Sequence, residues 1–106
     1  MIDRNVICDA IRGHNLARLY YSDAAPGDRI VEPYTLGLDK AHVLILNGWF
    51  RSGSNQSGEG PGFRDYLVEK ISAFEVLDEH FGRPQAGYVP LAGKRFQTVL
   101  CDLSLR

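Results

Sequence analysis

Hydrophobic residues along this chain follow the period of a helix first and that of strands afterwards. Between Arg4 and Arg12 the apolar side chains recur at a spacing that gives one apolar helix face. Asp3 or Asn5 can cap the start of this helix and Gly13 can end it. From Leu16 onward the period is two, which is typical of β-strands. The pattern predicts one short helix followed by strands.

Turn-forming residues divide the rest of the chain into five short strands, at 16–21, 29–38, 42–50, 63–70 and 71–77. Pro33 interrupts the second strand, which should therefore lie at an edge of the sheet or bend there. The third, His42–Phe50, is the most apolar run in the chain and should be central. The segment Phe96–Leu103 fits a last strand or a short helix, and the helical period fits better. The predicted fold class is mainly β (α+β), a small curled five-stranded sheet or a partly open barrel with an N-terminal helix.

One segment breaks the pattern. Residues 51–62 read RSGSNQSGEGPG, and four glycines, three serines and a proline there oppose any regular element. Two interpretations stay open, a solvated hairpin loop and a loop that closes over a ligand.

Length and charge bound the class of protein. With 106 residues, 44% of them hydrophobic and 24% charged, the chain has the size and composition of a single globular domain, residues 1–106. Twelve basic against 13 acidic side chains give a net charge of −1, so nothing in the overall field draws it to nucleic acid or membrane. Anion binding would need a local cluster of arginines. No apolar run reaches the roughly 18 residues of a membrane helix, and no secretory signal is evident at the N-terminus.

The two cysteines, Cys8 and Cys101, stand in no metal-binding or redox motif. We expect two buried thiols in a reducing compartment, and hence a cytoplasmic protein.

Residues that could support catalysis are scattered. The three histidines lie 28 and 38 residues apart, at His14, His42 and His80, which matches no local metal-binding spacing. The serines of the 51–62 loop lack the GxSxG elbow, and the loop lacks the P-loop pattern. The sequence therefore predicts a non-enzymatic protein without cofactor or metal. A hydrolase is a weaker reading, since it would require a histidine close to Ser54 or Ser57.

Basic and aromatic residues near the predicted strand ends are the remaining candidates for chemistry: Arg29, Trp49, Arg51, Arg64 and Tyr66. An arginine pairs through its planar fork with phosphate or carboxylate, and tryptophan or tyrosine can stack on a base. The set thus favours a site for a nucleotide or a single-stranded nucleic acid. The alternative is that these are solvated charges and ordinary sheet aromatics.

The order of several short motifs resembles the WYL domain, and more narrowly the short free-standing bacterial WYL-like proteins. The resemblance spans about residues 6–88. It rests on Ala10-Ile11, Tyr21, Arg29-Ile30-Val31-Glu32-Pro33, Ser57-Gly58-Glu59, Gly62-Phe63-Arg64, Val68-Glu69-Lys70-Ile71, and the closing Phe81, Pro84, Gly87 and Tyr88.

The resemblance implies an Sm-like or SH3-like β-barrel and a role as a sensor in bacterial transcription regulation, with basic residues that bind nucleic acid or nucleotide-like ligands. It marks Arg29 and Arg64 as the residues that would hold the ligand's anion, and it places Ser57 in the ligand loop. Gly48-Trp49-Phe50 stands where Trp-Tyr-Leu names the family, and Lys70 lies next to a position where full WYL domains often carry arginine. The chain has no room for the helix-turn-helix that usually precedes this domain, so we expect it to act as a separate module.

Two functions follow as expectations. The first is a regulatory module that binds a nucleotide or short nucleic acid through Arg29, Trp49, Arg51, Ser57, Arg64 and Tyr66. The second is a protein-interaction module or homodimer, in which edge strands, the 42–50 strand or the tail at 96–105 contact a partner. The first requires Arg29 and Arg64 to lie together on one exposed concave wall.

Overall fold

Six antiparallel strands and one N-terminal helix make up the described part of the chain. The computed structural model describes residues 2–23, 25–54 and 60–104. The elements are α1 (Arg4–Gly13), β1 (Asn15–Tyr21), β2 (Gly27–Leu38), β3 (Leu44–Gly53), β4 (Gly62–Leu67), β5 (Ile71–His80) and β6 (Thr98–Asp102), with single 3₁₀ turns at Val68–Lys70 and Pro90–Ala92. The mainly β fold with an N-terminal helix is confirmed, and the strands form a sheet that does not close into a barrel.

The long strand β2 organises the sheet. Along one side it pairs with β3, from Arg29 to Leu38. Along the other side it pairs first with β1 and then, over residues 35–38, with β6. The strand order is β4-β3-β2-β1-β5, with β6 attached to β2, so β4 and β5 end the path of strands.

Helix α1 packs on the inner face of this curled sheet. Asp3 caps it as predicted, since its Oδ1 accepts a hydrogen bond of 2.8 Å from the Asn5 N–H. The expected role of Gly13 is wrong, because Gly13 is the last helical residue and His14 takes the left-handed conformation that ends the helix, with φ 55°. The buried face of α1, with Ile7 and Ile11, joins the main core.

The outer face of the sheet carries a second, smaller core. Leu16, Tyr34 and Phe81 are buried there, and Trp49, Phe63 and Tyr88 pack against them. The segment between β5 and β6, which we call the returning segment, thus packs on this face, and each side of the sheet has its own hydrophobic cluster.

Two sequence expectations need correction at the level of strands, whereas the edge or bend predicted at Pro33 is found. Pro33 pairs with Gly48 of β3 on one side and lies at a register shift, while on its other side it falls between the residues that pair with β1 and those that pair with β6. The segment at 96–103 contains a strand, β6, because the paired edge of β2 outweighs the helical period of its side chains. The described strands therefore number six rather than five.

The interpretation of 51–62 as irregular holds only in part. Arg51–Gly53 continue β3, and residues 55–59 lie outside the described part. The predicted strand at 63–70 ends at Leu67 and is followed by the 3₁₀ turn.

The two cysteines form a disulfide, which contradicts the expectation of buried thiols. Cys8 of α1 is bonded to Cys101 of β6, with 5.7 Å between their Cα atoms and 93 residues between them in sequence. Disulfides persist mainly in oxidising environments, so the cysteines no longer argue for a reducing compartment. Within the part of the chain that the structure describes, no helix has the length and apolarity needed to cross a membrane.

Candidate functional site

The described candidate residues divide between the two faces of the sheet. Arg64 and Tyr66 lie on the inner face of β4, paired with Gly48 and Leu46 of β3. Trp49 packs in the outer core, and side chains on one strand alternate between faces. Ser57 lies outside the described residues. The structure therefore separates Trp49 from the face that holds Arg64 and Tyr66.

Arg29 reaches the inner face from β2 and is only 5% exposed. Its Nη2 donates to Asp23 Oδ1 at 2.8 Å and to the Ala25 carbonyl at 2.9 Å. Its guanidinium carbon lies 5.0 Å from the centre of the Tyr21 ring and 5.9 Å from that of Tyr66. Arg29 is thus held on a carboxylate and between aromatic rings, not on an open wall.

The surroundings of Asp23 favour its ionised form, which pairs with Arg29. Burial opposes its ionisation, but hydrogen bonds from the Ala25 N–H and from Arg29, with the charge of Arg29, hold the pKa of Asp23 below its usual value. The pair stays ionised at neutral pH, so Arg29 keeps its position.

Arg64 lies two residues before Tyr66 on the same strand, β4. Its Nη1 donates to the Phe63 carbonyl at 2.9 Å and its Nη2 to the Gly60 carbonyl at 3.0 Å. The guanidinium carbon lies 5.6 Å from the centre of the Phe50 ring. The adjacent Gly62 makes this possible, since a Cβ there would lie 2.7 Å from Arg64 Nη1. The side chain therefore folds back over the ends of β3 and β4.

Tyr66 lies between the two arginines, and we call Arg29, Arg64 and Tyr66 the Tyr66 site. Tyr66 is 2% exposed, and its ring meets Tyr21 edge-on at 5.1 Å between centres. Burial raises the pKa of Tyr66 to about 12, although the positive charges of Arg29 and Arg64, and the approach of the Arg29 side chain as a hydrogen-bond donor, favour the phenolate and reduce the rise.

Two hydrogen-bonding atoms at this site are buried without a partner. They are Arg29 Nε and the Tyr66 hydroxyl, and among the described side chains only these two atoms are so buried. Leaving such a group unpaired costs about 1–3 kcal/mol. The site thus offers an N–H and an O–H to an acceptor atom, beside a second cationic side chain.

Arg51 and Trp49 serve the outer face. Arg51 Nε donates to Glu32 Oε2 at 2.8 Å, and the Glu32 carboxylate is fully buried. Trp49 meets Phe63 edge-on, with 5.0 Å between ring centres. Neither side chain faces the Tyr66 site, so the structure does not bring the six predicted ligand residues into one pocket.

A buried polar network on the outer face was missed by sequence reasoning. Glu32 accepts a hydrogen bond of 2.5 Å from the Tyr34 hydroxyl. Asp102, also fully buried, accepts from Thr35, from the Tyr88 hydroxyl at 2.5 Å, and from Ser104. Each acid stands as a single carboxylate in a mostly apolar strand, and this is the sequence feature that could have revealed the network. When both faces of such a strand are covered, the carboxylate is buried and needs hydrogen-bond partners.

The network has clear electrostatic consequences. Burial opposes ionisation of Asp102, yet its hydrogen bonds from Ser104, Thr35 and Tyr88 hold the pKa of Asp102 below its ordinary value. Burial, assisted by the hydrogen bond to Asp102, raises the pKa of Tyr88 to about 12. Asp102 is therefore ionised and Tyr88 is protonated at neutral pH. These bonds tie the returning segment to the sheet, which makes their role structural.

Among the described residues, no hydrogen bond joins a histidine side chain to a serine. His14 stacks on Phe81 at 5.2 Å between ring centres, and its Nδ1 lies 3.1 Å from the Gly82 carbonyl. The Ser54 N–H donates to the Asp28 carbonyl. Across residues 2–23, 25–54 and 60–104, no three side chains of His, Cys, Asp or Glu are grouped as metal ligands. The hydrolase reading stays a prediction, as half of it depends on Ser57.

Among comparisons with known proteins, only the one with solved structures found a similar protein. No protein-family model matches the chain. No curated protein is significantly similar in sequence. Among solved structures, proteasome accessory factor B/C (PafBC) of Arthrobacter aurescens has a similar fold, with a TM-score of 0.65 and 21% sequence identity over 81% of this chain. PafBC contains a WYL domain.

The match supports a WYL-like fold. At this level of identity the likeness concerns the fold alone. The chain spans about 13% of the length of the PafBC chain that it matches. The similarity therefore concerns only this part of PafBC, and the remainder of the PafBC chain has no counterpart in the match.

Proposed function

We propose that this chain is a regulatory module with a WYL-like fold that binds the phosphate of a nucleotide or short nucleic acid at the Tyr66 site. The observation that carries the proposal is the pair of buried, unpartnered atoms, Arg29 Nε and the Tyr66 hydroxyl. Buried polar groups are nearly always hydrogen-bonded, and exceptions occur at functional sites or where a ligand or water binds. A phosphate oxygen would accept from both atoms.

The chemistry of the site favours an anion over a neutral ligand. Both groups are donors, the Arg29 guanidinium lies 5.9 Å from the centre of the Tyr66 ring, and the positive charge of Arg64 also acts on Tyr66. Hydrogen bonds to phosphate oxygens are charge-assisted and stronger than those to neutral carbonyls, such as the two that Arg64 now makes. A phosphate oxygen would therefore be a stronger acceptor for Arg64 than either of these carbonyls.

The geometry changes one part of the sequence expectation. Stacking of a base on Trp49 does not fit the same ligand, because Trp49 lies on the other face. Tyr66 is itself buried under its neighbours, so its ring face is not open to a base. In this proposal recognition depends on the phosphate, and the salt dependence of binding should be correspondingly steep.

The regulatory part of the proposal comes from the fold. PafBC is a transcriptional regulator with a WYL domain, and the present chain shares that fold over most of its length. The function of a fold is set by its sites, so the Tyr66 site has to be tested directly.

Replacing Arg64 by glutamine is expected to weaken binding of a fluorescein-labelled single-stranded oligonucleotide, and of ADP, at least tenfold in about 0.1 M salt. The reason is the loss of one charged phosphate contact. Fluorescence anisotropy measures the first ligand and titration calorimetry the second. Arg83→Gln is the matched control, since Arg83 is exposed and lies outside the site.

Tyr66→Phe tests the hydroxyl without changing any charge, and we expect a smaller loss of affinity, about three- to tenfold. Equal affinities of the natural chain, Arg64→Gln and Arg83→Gln would contradict the proposal, as would the absence of binding to either ligand.

A second candidate function is association through the edge strand β5, which pairs only with β1 among the described strands. Its Val76 side chain is 37% exposed. The surface expected from the sequence at 42–50 is wrong, because β3 lies between β2 and β4 and has no unpaired edge. The outer edge of β5, a strand of ten residues, can pair with the same strand of a second copy.

If β5 is an interface, light scattering should show a dimer at micromolar concentration, and Val76→Lys should shift it to monomer, because a lysine on an edge strand opposes pairing. Lys40→Ala, at an exposed turn, should leave the dimer intact. A monomer at every concentration of the natural chain would eliminate this candidate.

A further inference from the structure

A cleft with a volume of about 380 Å³ lies between the sheet and the returning segment at 87–95, and we call it the 87–95 cleft. Asn47 and Phe63 line it from β3 and β4, and Val89, Lys94 and Arg95 line it from the segment. Phe63 and Asn47 lie on the outer face, opposite Arg64 and Tyr66. The cleft is therefore separate from the Tyr66 site.

One wall of the cleft is apolar. Phe63 packs against Trp49 and Tyr34 behind it, which fixes the plane of its ring. Val89 is 55% exposed, an unusual state for a valine in a core-packed segment. Gly87, with φ 100°, lets the backbone approach the ring, since an added Cβ would lie 3.0 Å from Phe63 Cε2. Phe63 and Val89 together therefore give the cleft an apolar wall.

The other end of the cleft is cationic. Arg95 is paired with Asp65, whose other oxygen accepts a hydrogen bond of 2.9 Å from Asn47. Both oxygens of Asp65 are thus occupied. Lys94 is exposed and makes no ion pair with any described residue. The ammonium group of Lys94 is consequently available to an anion at the rim of the cleft.

The segment that forms the cleft is held in an uncommon conformation. Leu91 and Ala92 have φ of 57° and 55°, in the left-handed region that residues with a side chain rarely adopt. Hydrogen bonds from the Ala92 and Gly93 N–H groups to the carbonyls of Val89 and Pro90 close this turn. Tyr88 and Phe96 fix its two ends, through Asp102 and by burial. Such conformations persist where the surroundings determine them, often at ligand sites.

From these observations we infer that the 87–95 cleft binds a small amphipathic anion, with a flat apolar group against Phe63 and Val89 and a carboxylate or sulfonate on Lys94. The volume is within the range of small-molecule sites, and a mainly apolar lining with a few placed polar groups is what such sites have in common. The inference is independent of the Tyr66 site and of its ligand.

The probe for this test is 1-anilinonaphthalene-8-sulfonate, which combines flat aromatic rings with one sulfonate. We expect its emission to rise on binding, and the emission of Trp49, the one tryptophan of the chain, to be quenched by energy transfer to the probe, since Trp49 contacts Phe63 at the cleft. Amide shifts in a ¹⁵N–¹H spectrum should concentrate at Phe63, Val89 and Lys94.

Lys94→Gln should weaken binding of the probe five- to tenfold, and so should Val89→Asp, which puts a negative charge at the cleft. Both positions are exposed, so the fold should survive, and circular dichroism checks this. Lys40→Gln is the matched control at a lysine outside the cleft. Arg64→Gln should not change the affinity for this probe, which separates the result from that of the Tyr66 site.

Equal affinities of Lys94→Gln, Val89→Asp and Lys40→Gln would overturn the inference, since the probe would then bind elsewhere on the surface. Amide shifts confined to the other described cleft, beside Val43 and Leu44, would overturn it as well.

Discussion

Replacing both Cys8 and Cys101 by alanine is expected to lower the free energy of unfolding by about 4 kcal/mol. The bond closes a loop of 93 residues, so it removes much of the conformational freedom of the unfolded chain. It also connects α1 to β6, two elements that pack against each other but lie at opposite ends of the sequence. Urea denaturation followed by circular dichroism measures the change.

Reduction of the natural chain provides the matched control for this first prediction. Dithiothreitol should destabilise the natural chain by a similar amount and should leave the double alanine variant unchanged. Alanine is preferred to serine because both positions are buried, and a hydroxyl there would lack a partner. A loss below about 1 kcal/mol, with no effect of the reductant, would mean that α1 and β6 dock without the bond.

Asp102→Ala should cost about 3–4 kcal/mol of stability, the second largest effect that we expect. The Asp102 carboxylate accepts hydrogen bonds from Thr35, Tyr88 and Ser104. Its removal leaves buried hydroxyls without acceptors, and each unpaired group costs about 1–3 kcal/mol, partly recovered as water enters. Thermal and urea unfolding of the variant against the natural chain give the value.

The contribution of Asp102 also predicts a pH dependence. Its pKa in the folded chain is lowered from the ordinary 3.8, so the native state favours the ionised form. The stabilisation is therefore complete above pH of about 4 and is lost as the pH falls through the lowered pKa. The difference in stability between the natural chain and Asp102→Ala should accordingly be large at pH 7 and shrink toward pH 2.

Tyr88→Phe is the control for this network, since it removes one hydrogen bond to Asp102 and keeps the ring. We expect a loss of about 1 kcal/mol. If Asp102→Ala cost no more than Tyr88→Phe, or if its effect were the same at pH 2 and pH 7, the ionised carboxylate would not be what holds the returning segment.

The two proposed sites differ in how they should respond to such structural changes. The Tyr66 site lies on the inner face, between β2 and the end of β4. The 87–95 cleft depends on the segment that Tyr88 and Asp102 fix to the outer face. Loosening that segment by Tyr88→Phe should therefore impair binding of the anilinonaphthalene probe more than binding of an oligonucleotide.

Local patterns determined much of this fold in advance. The helix was predictable because its apolar spacing and the Asp3 cap act within a few residues. Strands β1 and β5 followed from period-two alternation, and β3 followed from its continuous apolar run. The same period also predicts that Arg64 and Tyr66, two residues apart on one strand, lie on the same face of the sheet.

Only the tertiary structure decided which strand faces meet and which distant residues bond. The disulfide joins residues 93 positions apart, and β6 becomes a strand by pairing with β2. Arg29 pairs with Gly53 of β3 and Tyr66 pairs with Leu46, so the curl of the sheet, and not the strand register, brings Arg29 beside Tyr66. Trp49 lies on the opposite face. These outcomes depend on contacts between segments far apart in sequence, whose energies no local pattern of residues records.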